Sequence, residues 1–336
     1  MKLAIIGCGA VTEIFHLPAV AANDRVELTA LVDKSEARAA RLADSFNAPF
    51  VASDHRDVLG RAEAAVVAVP NHLHASVSLD LLRQGVHLLV EKPMALTAAD
   101  CEEMVATARS SDVVLAVGLI RRFTHGAAFV KSALEQKILG EVTGFDFREG
   151  APYGWQVTSD APFRKGAGGG LLADIGVHVL DLVLWWLGDI EASAYADDAL
   201  GGVEAECELE LTLESGVGGK VELSRTRELR NSYVIRGERG TLEVGTGANP
   251  DVGLHLAGQD AALSGQAIPP HGVPDRRMKD LFIRQLADFA GAVLEAKPPF
   301  VPGSEGQRSV QLIEACYAVR QVLRYPWVFP TGELAT

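Results

Sequence analysis

The chain has 336 residues, with 31 Lys and Arg against 44 Asp and Glu and a formal net charge of −13. At roughly 100–200 residues per domain this length predicts two domains, and 48% hydrophobic with 22% charged residues is an ordinary globular composition. The acidic balance argues against a nucleic-acid binder, because the only basic runs are the pairs Arg121-Arg122, Arg164-Lys165 and Arg276-Arg277.

Only four apolar residues, Leu3 to Ile6, precede Gly7, too few for the apolar region of a signal peptide. The run Ile175–Leu187 contains His178 and Asp181 and falls short of the ~20 residues that span a bilayer. Cys8, Cys101, Cys207 and Cys316 are scattered and form no CxxC pair, so neither a disulfide framework nor a metal site is expected. These features predict a reduced, cytoplasmic protein that neither spans nor coats a membrane.

The first third alternates strand and helix. Strands are predicted over Leu3–Ile6, Glu27–Val32, Ala64–Val69, Val86–Val90 and Val113–Val117, with helices over Val11–Ala22, Ser35–Phe46, His72–Arg83 and Ala98–Arg109. That alternation implies βαβ units and a doubly wound parallel sheet. After about Arg122 the rhythm changes. A helix over Ala127–Gln136 leads to a strand near Val142–Arg148, a loop of Gly, Pro and aromatics over Gly150–Gly170, and an apolar helix to Leu187. Several strands with Gly turns follow. In one of them Ala205, Cys207, Leu209, Leu211 and Leu213 alternate with Glu204, Glu206, Glu208, Glu210 and Thr212. Gly258–Pro274 reads as a long loop, and Lys279–Leu294 and Ser304–Leu323 as closing helices. The fold class is therefore α/β: a doubly wound domain over 1–122 and an α+β domain with an antiparallel sheet over 123–336.

Gly7-Cys8-Gly9-Ala10-Val11-Thr12 sits after the first strand and opens a helix. Gly7 suits a tight turn and Gly9 a close approach to a pyrophosphate at the helix N-terminus. Thr12 stands where a small third residue usually lets helix and strand pack. Asp33 ends the second strand, 24 residues after Gly9, where an acid accepts hydrogen bonds from ribose hydroxyls and repels a 2′-phosphate. It would equally serve as an N-cap for the following helix. Together these features predict dinucleotide binding, NAD in preference to NADP, with Lys34 and Arg38 leaving NADP open.

Glu91-Lys92-Pro93 follows the strand Val86–Val90 directly, which delivers Lys92 to the carboxyl-end crevice of a parallel sheet. A lone Lys at a strand end is otherwise a solvated charge. Further on, Asp174, His178 and Asp181 share one stripe of an otherwise apolar helix after Gly168-Gly169-Gly170. Buried acids and imidazoles need partners or a task. The stripe fits either a catalytic set or a satisfied structural pair.

These segments resemble the Gfo/Idh/MocA oxidoreductases, the group of glucose–fructose oxidoreductase and inositol dehydrogenases. The resemblance runs almost end to end, through His16-Leu17-Pro18-Ala19, Pro70-Asn71-His72-Leu73-His74, Glu91-Lys92-Pro93 and Gly168–His178. It implies a Rossmann domain followed by a large open sheet, with Lys92, Asp174 and His178 as the catalytic set. It also implies that Pro70, Asn71 and His74 line the cofactor groove and that Arg164 lies near the nicotinamide, beside Gly7, Gly9, Ala10, Val11, Asp33 and Glu91. Alcohol oxidation needs a base for the hydroxyl proton, which suits His178, and a charge for the developing alkoxide, which suits Lys92. Asp174 would orient the imidazole or bind a substrate hydroxyl.

His72 and His74 form only an H-x-H pair, so no metal is expected. Cys8 reads as a packing residue. Tyr153, Trp155, Gln156, Arg164 and Lys165 either wall a sugar pocket or make a surface loop with aromatic anchors. The expected activity is a nicotinamide-dependent dehydrogenase or ketoreductase of a sugar, cyclitol or sugar derivative. The alternatives are a cofactor-sensing regulator and an NAD-dependent glycosidase. The resemblance also implies a homodimer or homotetramer through the outer face of the open sheet, where the glutamate row would need partners such as Arg225, Arg227, Arg230 and Arg236.

Overall fold

Short β-branched runs set the first sheet. In the computed structural model, which describes residues 1–268 and 277–323, β1 (Lys2–Ile6), β2 (Glu27–Val32), β3 (Val51–Ala52), β4 (Ala64–Val67), β5 (His87–Val90) and β6 (Leu115–Val117) pair in parallel in the order β3-β2-β1-β4-β5-β6. Both faces are covered, so successive residues serve opposite cores. Leu3 and Ile5 pack with Leu17, Leu31 and Phe289, whereas Ala4 and Ile6 belong with Val77, Leu81 and Val90. The two-residue β3 escaped the sequence reading because a pair of residues carries no period.

The covering helices are α1 (Leu17–Ala21), α2 (Glu36–Phe46), α3 (His74–Leu82) and α4 (Ala98–Ser110). Where one helix was expected from Val11, a π turn over Thr12–His16 precedes α1. Thr97 caps α4 by accepting the Asp100 N–H at 3.0 Å.

After α5 (His125–Glu135) comes a nine-stranded sheet built of β7 (Val142–Gly150), β8 (Ile190–Asp197), β9 (Glu206–Leu213), β10 (Gly218–Ser224), β11 (Ser232–Gly237), β12 (Gly240–Gly245), β13 (Asp251–Leu256), β14 (Leu263–Gln266) and β15 (Arg320–Val322). Its order is β14-β13-β12-β11-β7-β10-β9-β8-β15, antiparallel except for the pairs β7–β10 and β8–β15. The inner face packs Phe145, Phe147, Leu209, Val221, Tyr233 and Ile235 with the apolar helix α6 (Val177–Leu187). Residues 165–187 are long and apolar enough by composition to cross a bilayer, yet most of that run is buried within the molecule, as a core helix is. The closing helices α7 (Met278–Leu294) and α8 (Gly303–Ala318) return to the parallel sheet, α7 against α1 and α8 against α4 and α6.

Three expectations need correction. The last helix ends at Ala318 rather than Leu323, because Arg320–Val322 adds a strand beside β8. Gly258–Pro274 is not one loop, since Leu263–Gln266 pairs with β13; residues 269–276 lie outside the described residues, among them Arg276 of the third basic pair. The glutamate row does not lie wholly on the outer face of the sheet. Glu208 and Glu210 are exposed, but Glu206 is buried against Arg227, with Oε2 2.9 Å from Nε. Glu204, before the strand, turns inward to accept the Leu172 N–H and the Tyr317 hydroxyl, both at 2.8 Å.

Candidate active site

Strand order reverses between β1 and β4, so their carboxyl ends diverge and open a crevice. Gly7 leaves β1 with φ +101°, and a Cβ there would stand 2.3 Å from the Ala68 carbonyl oxygen, so only glycine fits. Thr12, the departure from the usual small residue, is accommodated because its hydroxyl turns inward and donates to the Gly7 carbonyl at 2.6 Å. Asp33 accepts the Cys8 N–H at 2.8 Å through Oδ2 and the Ser35 N–H at 2.7 Å through Oδ1, with Arg38 at 3.6 Å. It therefore ties the glycine turn to the approach of α2, whose N-cap position belongs to Ser35. Cys8 is buried, and burial pushes its thiol up to about 12, which fits a packing residue.

A groove of about 640 Å³ runs from this turn, with Gly7, Gly9, Ala10, Val11, Asp33, Pro70 and Asn71 in its wall. It is roofed by residues of the aromatic loop, including Tyr153, Trp155 and Thr158. Asn71 donates to the Gly168 carbonyl at 2.9 Å and so links the two halves of the chain.

A second cavity of about 600 Å³ adjoins the groove, sharing Val69, Asn71, Tyr153, Trp155 and Asp174 with it. Lys92, delivered by β5, donates to Asp174 Oδ1 at 2.5 Å and to the Asp174 carbonyl at 3.0 Å. Arg225, at the end of β10, bonds the other oxygen of the same carboxylate and stands over the Tyr153 ring, 5.0 Å from its centroid. Burial alone would raise the Asp174 carboxyl, but Lys92 and Arg225 hold it well below the usual range. His178 is 8% exposed and lines the same cavity, with no partner for Nδ1. Burial first, then the Lys92 and Arg121 charges, push its imidazole well below the ordinary value, with Asp174 pulling the other way.

Asp174 does not orient His178. Both oxygens of its carboxylate are taken by Lys92 and Arg225, and His178 Nδ1 has no partner, although the π turn Leu172–Gly176 leads directly into α6 and both side chains line the cavity. Asp181 leaves the stripe as well. It is 1% exposed and binds Arg122 through both oxygens at 2.6–3.1 Å, with Glu305 on the same guanidinium, which makes a buried structural pair. Arg164 stands outside both cavities, largely exposed and 3.5 Å from Asp160. Glu91 faces inward, with Oε1 2.8 Å from His16 Nε2; burial would raise its carboxyl, and His16 and Lys92 bring it below the ordinary value. His74 reaches the cavity wall, but both its nitrogens already face backbone carbonyls.

Beside Lys92, the cations that line the cavity are Arg121 and Arg225, neither of which was singled out as a site residue. Arg121 bonds Glu149 and the Tyr233 hydroxyl, and Tyr233 donates to Glu149 Oε2 at 2.5 Å. The sequence gives Arg121 no mark beyond a basic pair, and Arg225, expected as a partner of the glutamate row, instead follows β10 and bonds Asp174. Tyr153 and Trp155, left open between pocket and surface loop, line both cavities.

Residues 1–119 match the sequence profile described as an oxidoreductase family with an NAD-binding Rossmann fold, Gfo/Idh/MocA, and residues 128–243 match the Gfo/Idh/MocA C-terminal domain. D-glucoside 3-dehydrogenase of Escherichia coli (strain K12) is 32% identical over 193 residues, 56% of this chain and 54% of that protein, so the match spans about half of that relative. dTDP-3,4-didehydro-2,6-dideoxy-alpha-D-glucose 3-reductase of Actinomadura kijaniata is 26% identical over 342 residues, covering 97% of each chain. Among solved structures, a 3-ketoreductase from Actinomadura kijaniata in complex with NADP and TDP-benzene has a TM-score of 0.84 at 24% identity, covering 97% of this chain and 99% of that one. At that identity the likeness shows the fold.

Proposed function

Since the chain belongs to the Gfo/Idh/MocA family of oxidoreductases, we propose that it moves a hydride between NAD(H) and a secondary alcohol or ketone carbon of a sugar, cyclitol or sugar derivative. One observation carries this reading: Lys92 from the parallel sheet meets Asp174, one turn from His178, in a cavity continuous with the dinucleotide groove. The groove fits a dinucleotide, because its wall runs from the glycine turn, where Gly9 lines it without a side chain, to Asp33 at the end of β2. Gly7, Gly9, Ala10, Val11, Asp33, Pro70 and Asn71 would hold the cofactor, which when bound supplies the hydride chemistry.

The protein handles proton and charge. His178 is held neutral by burial and by the neighbouring cations, so it is ready to accept a hydroxyl proton. With Nδ1 enclosed, Nε2 is the nitrogen left to the cavity side and takes the proton in oxidation or returns it in reduction. The Lys92 ammonium stabilises the oxygen as its charge develops. Asp174 is a tether rather than a base: clamped between Lys92 and Arg225, it fixes the direction in which the ammonium points. Tyr153 and Trp155 offer ring faces to a polyol. Four buried, unpaired cysteines support a reducing, cytoplasmic setting.

A panel of polyols, sugars and ketosugars, assayed with NAD and NADP at the nicotinamide absorbance, tests the reading. Turnover of at least one polyhydroxyl substrate is expected. Cofactor binding without turnover across the panel would favour a regulator instead. Cleavage of a glycoside with NAD undiminished at the end would identify a glycosidase.

A further inference from the structure

The hydrogen-bond ladder between β4 and β5 stops at the crevice. Its last rung is the Glu91 N–H to the Val67 carbonyl at 2.9 Å, after which the two chains part, one as 68–70 and the other as 91–93. His74, the first residue of α3 and 1% exposed, stands between them. Its Nδ1 lies 2.8 Å from the Pro93 carbonyl and its Nε2 2.8 Å from the Val69 carbonyl.

A neutral imidazole has one N–H and one bare lone pair, so it can donate to one carbonyl only. The other carbonyl would then face a lone pair at hydrogen-bond distance, away from water, where such a mismatch is costly. An imidazolium donates to both. We propose that His74 is a doubly protonated clamp and a positioning residue, which holds Pro93 against Val69 and thereby fixes Lys92 at the mouth of the cofactor groove. Burial above all, with the Lys92 ammonium, opposes the charge and holds the imidazole below its ordinary value, although the two carbonyls and the Glu91 carboxylate support it; the clamp rests on the two acceptors that the two ring nitrogens face. Glu91, itself bonded to His16, is the counter-ion on the same loop as Lys92. The clamp thus supplies with one side chain the two rungs that the diverging strands no longer make.

The importance of this clamp for turnover rests on the reading of Lys92 as a reacting group, whereas its proton count does not. Neutron diffraction from a deuterium-exchanged crystal of the unliganded protein at pH 7.5 counts the protons directly. Deuterons on both ring nitrogens are expected, and a single deuteron overturns the clamp whatever the enzyme's activity. With a substrate in hand, His74→Phe fills the space without either donor and is expected to lower kcat by roughly 10- to 10²-fold while leaving KM and NADH affinity within about 2-fold. His74→Gln, which keeps an N–H donor, is expected to recover part of that loss. Unchanged kcat in a folded His74→Phe protein overturns the positioning role, and should that variant fail to fold, the neutron experiment still decides the protonation state.

Discussion

Lys92 and Asp174 stand 82 residues apart in the chain and meet at 2.5 Å, with the ammonium also held by the Asp174 carbonyl at 3.0 Å. The contact joins the end of a parallel strand to a π turn of the other half, so neither sheet alone makes the site. Lys92→Ala and His178→Ala are each expected to reduce turnover by about 10²-fold or more while cofactor affinity stays nearly constant. Steady-state kinetics beside calorimetric titration of NADH checks both. A variant that turns over at the wild-type rate would show its residue to be structural.

The electrostatics of His178 set a direction for pH. Its imidazole is pushed below 6.5 by burial, Lys92 and Arg121, so the base remains unprotonated through the neutral range. Activity in the oxidative direction should therefore persist below pH 6.5, with the acid limb at lower pH. Arg121→Gln removes one of the charges that depress the imidazole, so His178 becomes easier to protonate and the limb moves up in pH. A profile of kcat/KM from pH 5 to 8 distinguishes the cases. An unmoved limb would assign it to another group.

Much of this was legible in the chain, and what was not has identifiable causes. The alternation of short apolar strands with helices and the position of Gly7 after a strand locate the parallel sheet and its crevice, because each is a local pattern with one backbone solution. Lys92, Asp174 and His178 were readable as an assembly only through the family resemblance, since the residues alone fitted a catalytic set or a structural pair and the segments that carry them lie far apart in the chain. The π turn was not readable, since an i, i+4 spacing looks the same whether or not one turn widens, and neither was the capture of the Asp174 carboxylate by Lys92 and Arg225, which come from two other elements. Asp181 shows the limit of a polar stripe. Its partner Arg122 lies 59 residues away and carries no mark of its own in the sequence.

At the other end of the groove, Asp33 already accepts one backbone N–H on each oxygen, which fixes its carboxylate beside Lys34, Ser35 and Arg38. A 2′-phosphate placed there would meet that fixed negative charge, with Arg38 only partly offsetting it. NAD(H) is expected to bind more tightly than NADP(H), and Asp33→Ala to narrow the gap. Calorimetric titration of both cofactors against both proteins measures it; equal or tighter NADP binding by the wild type would refute the preference.

The roof of the groove predicts a gate. Trp155 stacks on Phe15 with centroids 5.9 Å apart, and Phe15 stacks on Phe282 of α7 at 4.6 Å, so an aromatic column pins the loop over the groove. The Thr158 hydroxyl stands 3.5 Å from where a Cβ on Gly9 would lie, which brings the loop down onto the pyrophosphate turn. Cofactor must pass this loop to enter or leave. An aromatic pair is worth about 0.5–1.5 kcal/mol, so Trp155→Ala should speed NADH release by roughly 2- to 10-fold. Stopped-flow displacement of NADH measures that rate, and an unchanged value would mean the loop does not hold the cofactor in.

The outer face of the nine-stranded sheet bears on assembly. Across it run Glu208 and Glu210 of β9, Lys220 and Glu222 of β10, and Asp146 and Arg148 of β7, in register. Lys220 pairs with Glu210 at 2.8 Å, and Glu222 with Arg227 at 2.8 Å and Arg148 at 3.6 Å. The charges are thus largely matched within one chain, and burying them against a second copy costs desolvation without leaving one sign unopposed. We propose a homo-oligomer, at least a dimer, that uses this face through a polar contact. Such a contact weakens as salt screens it, because exposed pairs at a rim are screened over about 8–10 Å at ordinary ionic strength. Sedimentation at low and high salt should therefore show an oligomer that loosens as salt rises. A monomer under both conditions would leave the ladder facing water, with Glu210 paired to Lys220 and Glu222 to Arg148 within the same sheet.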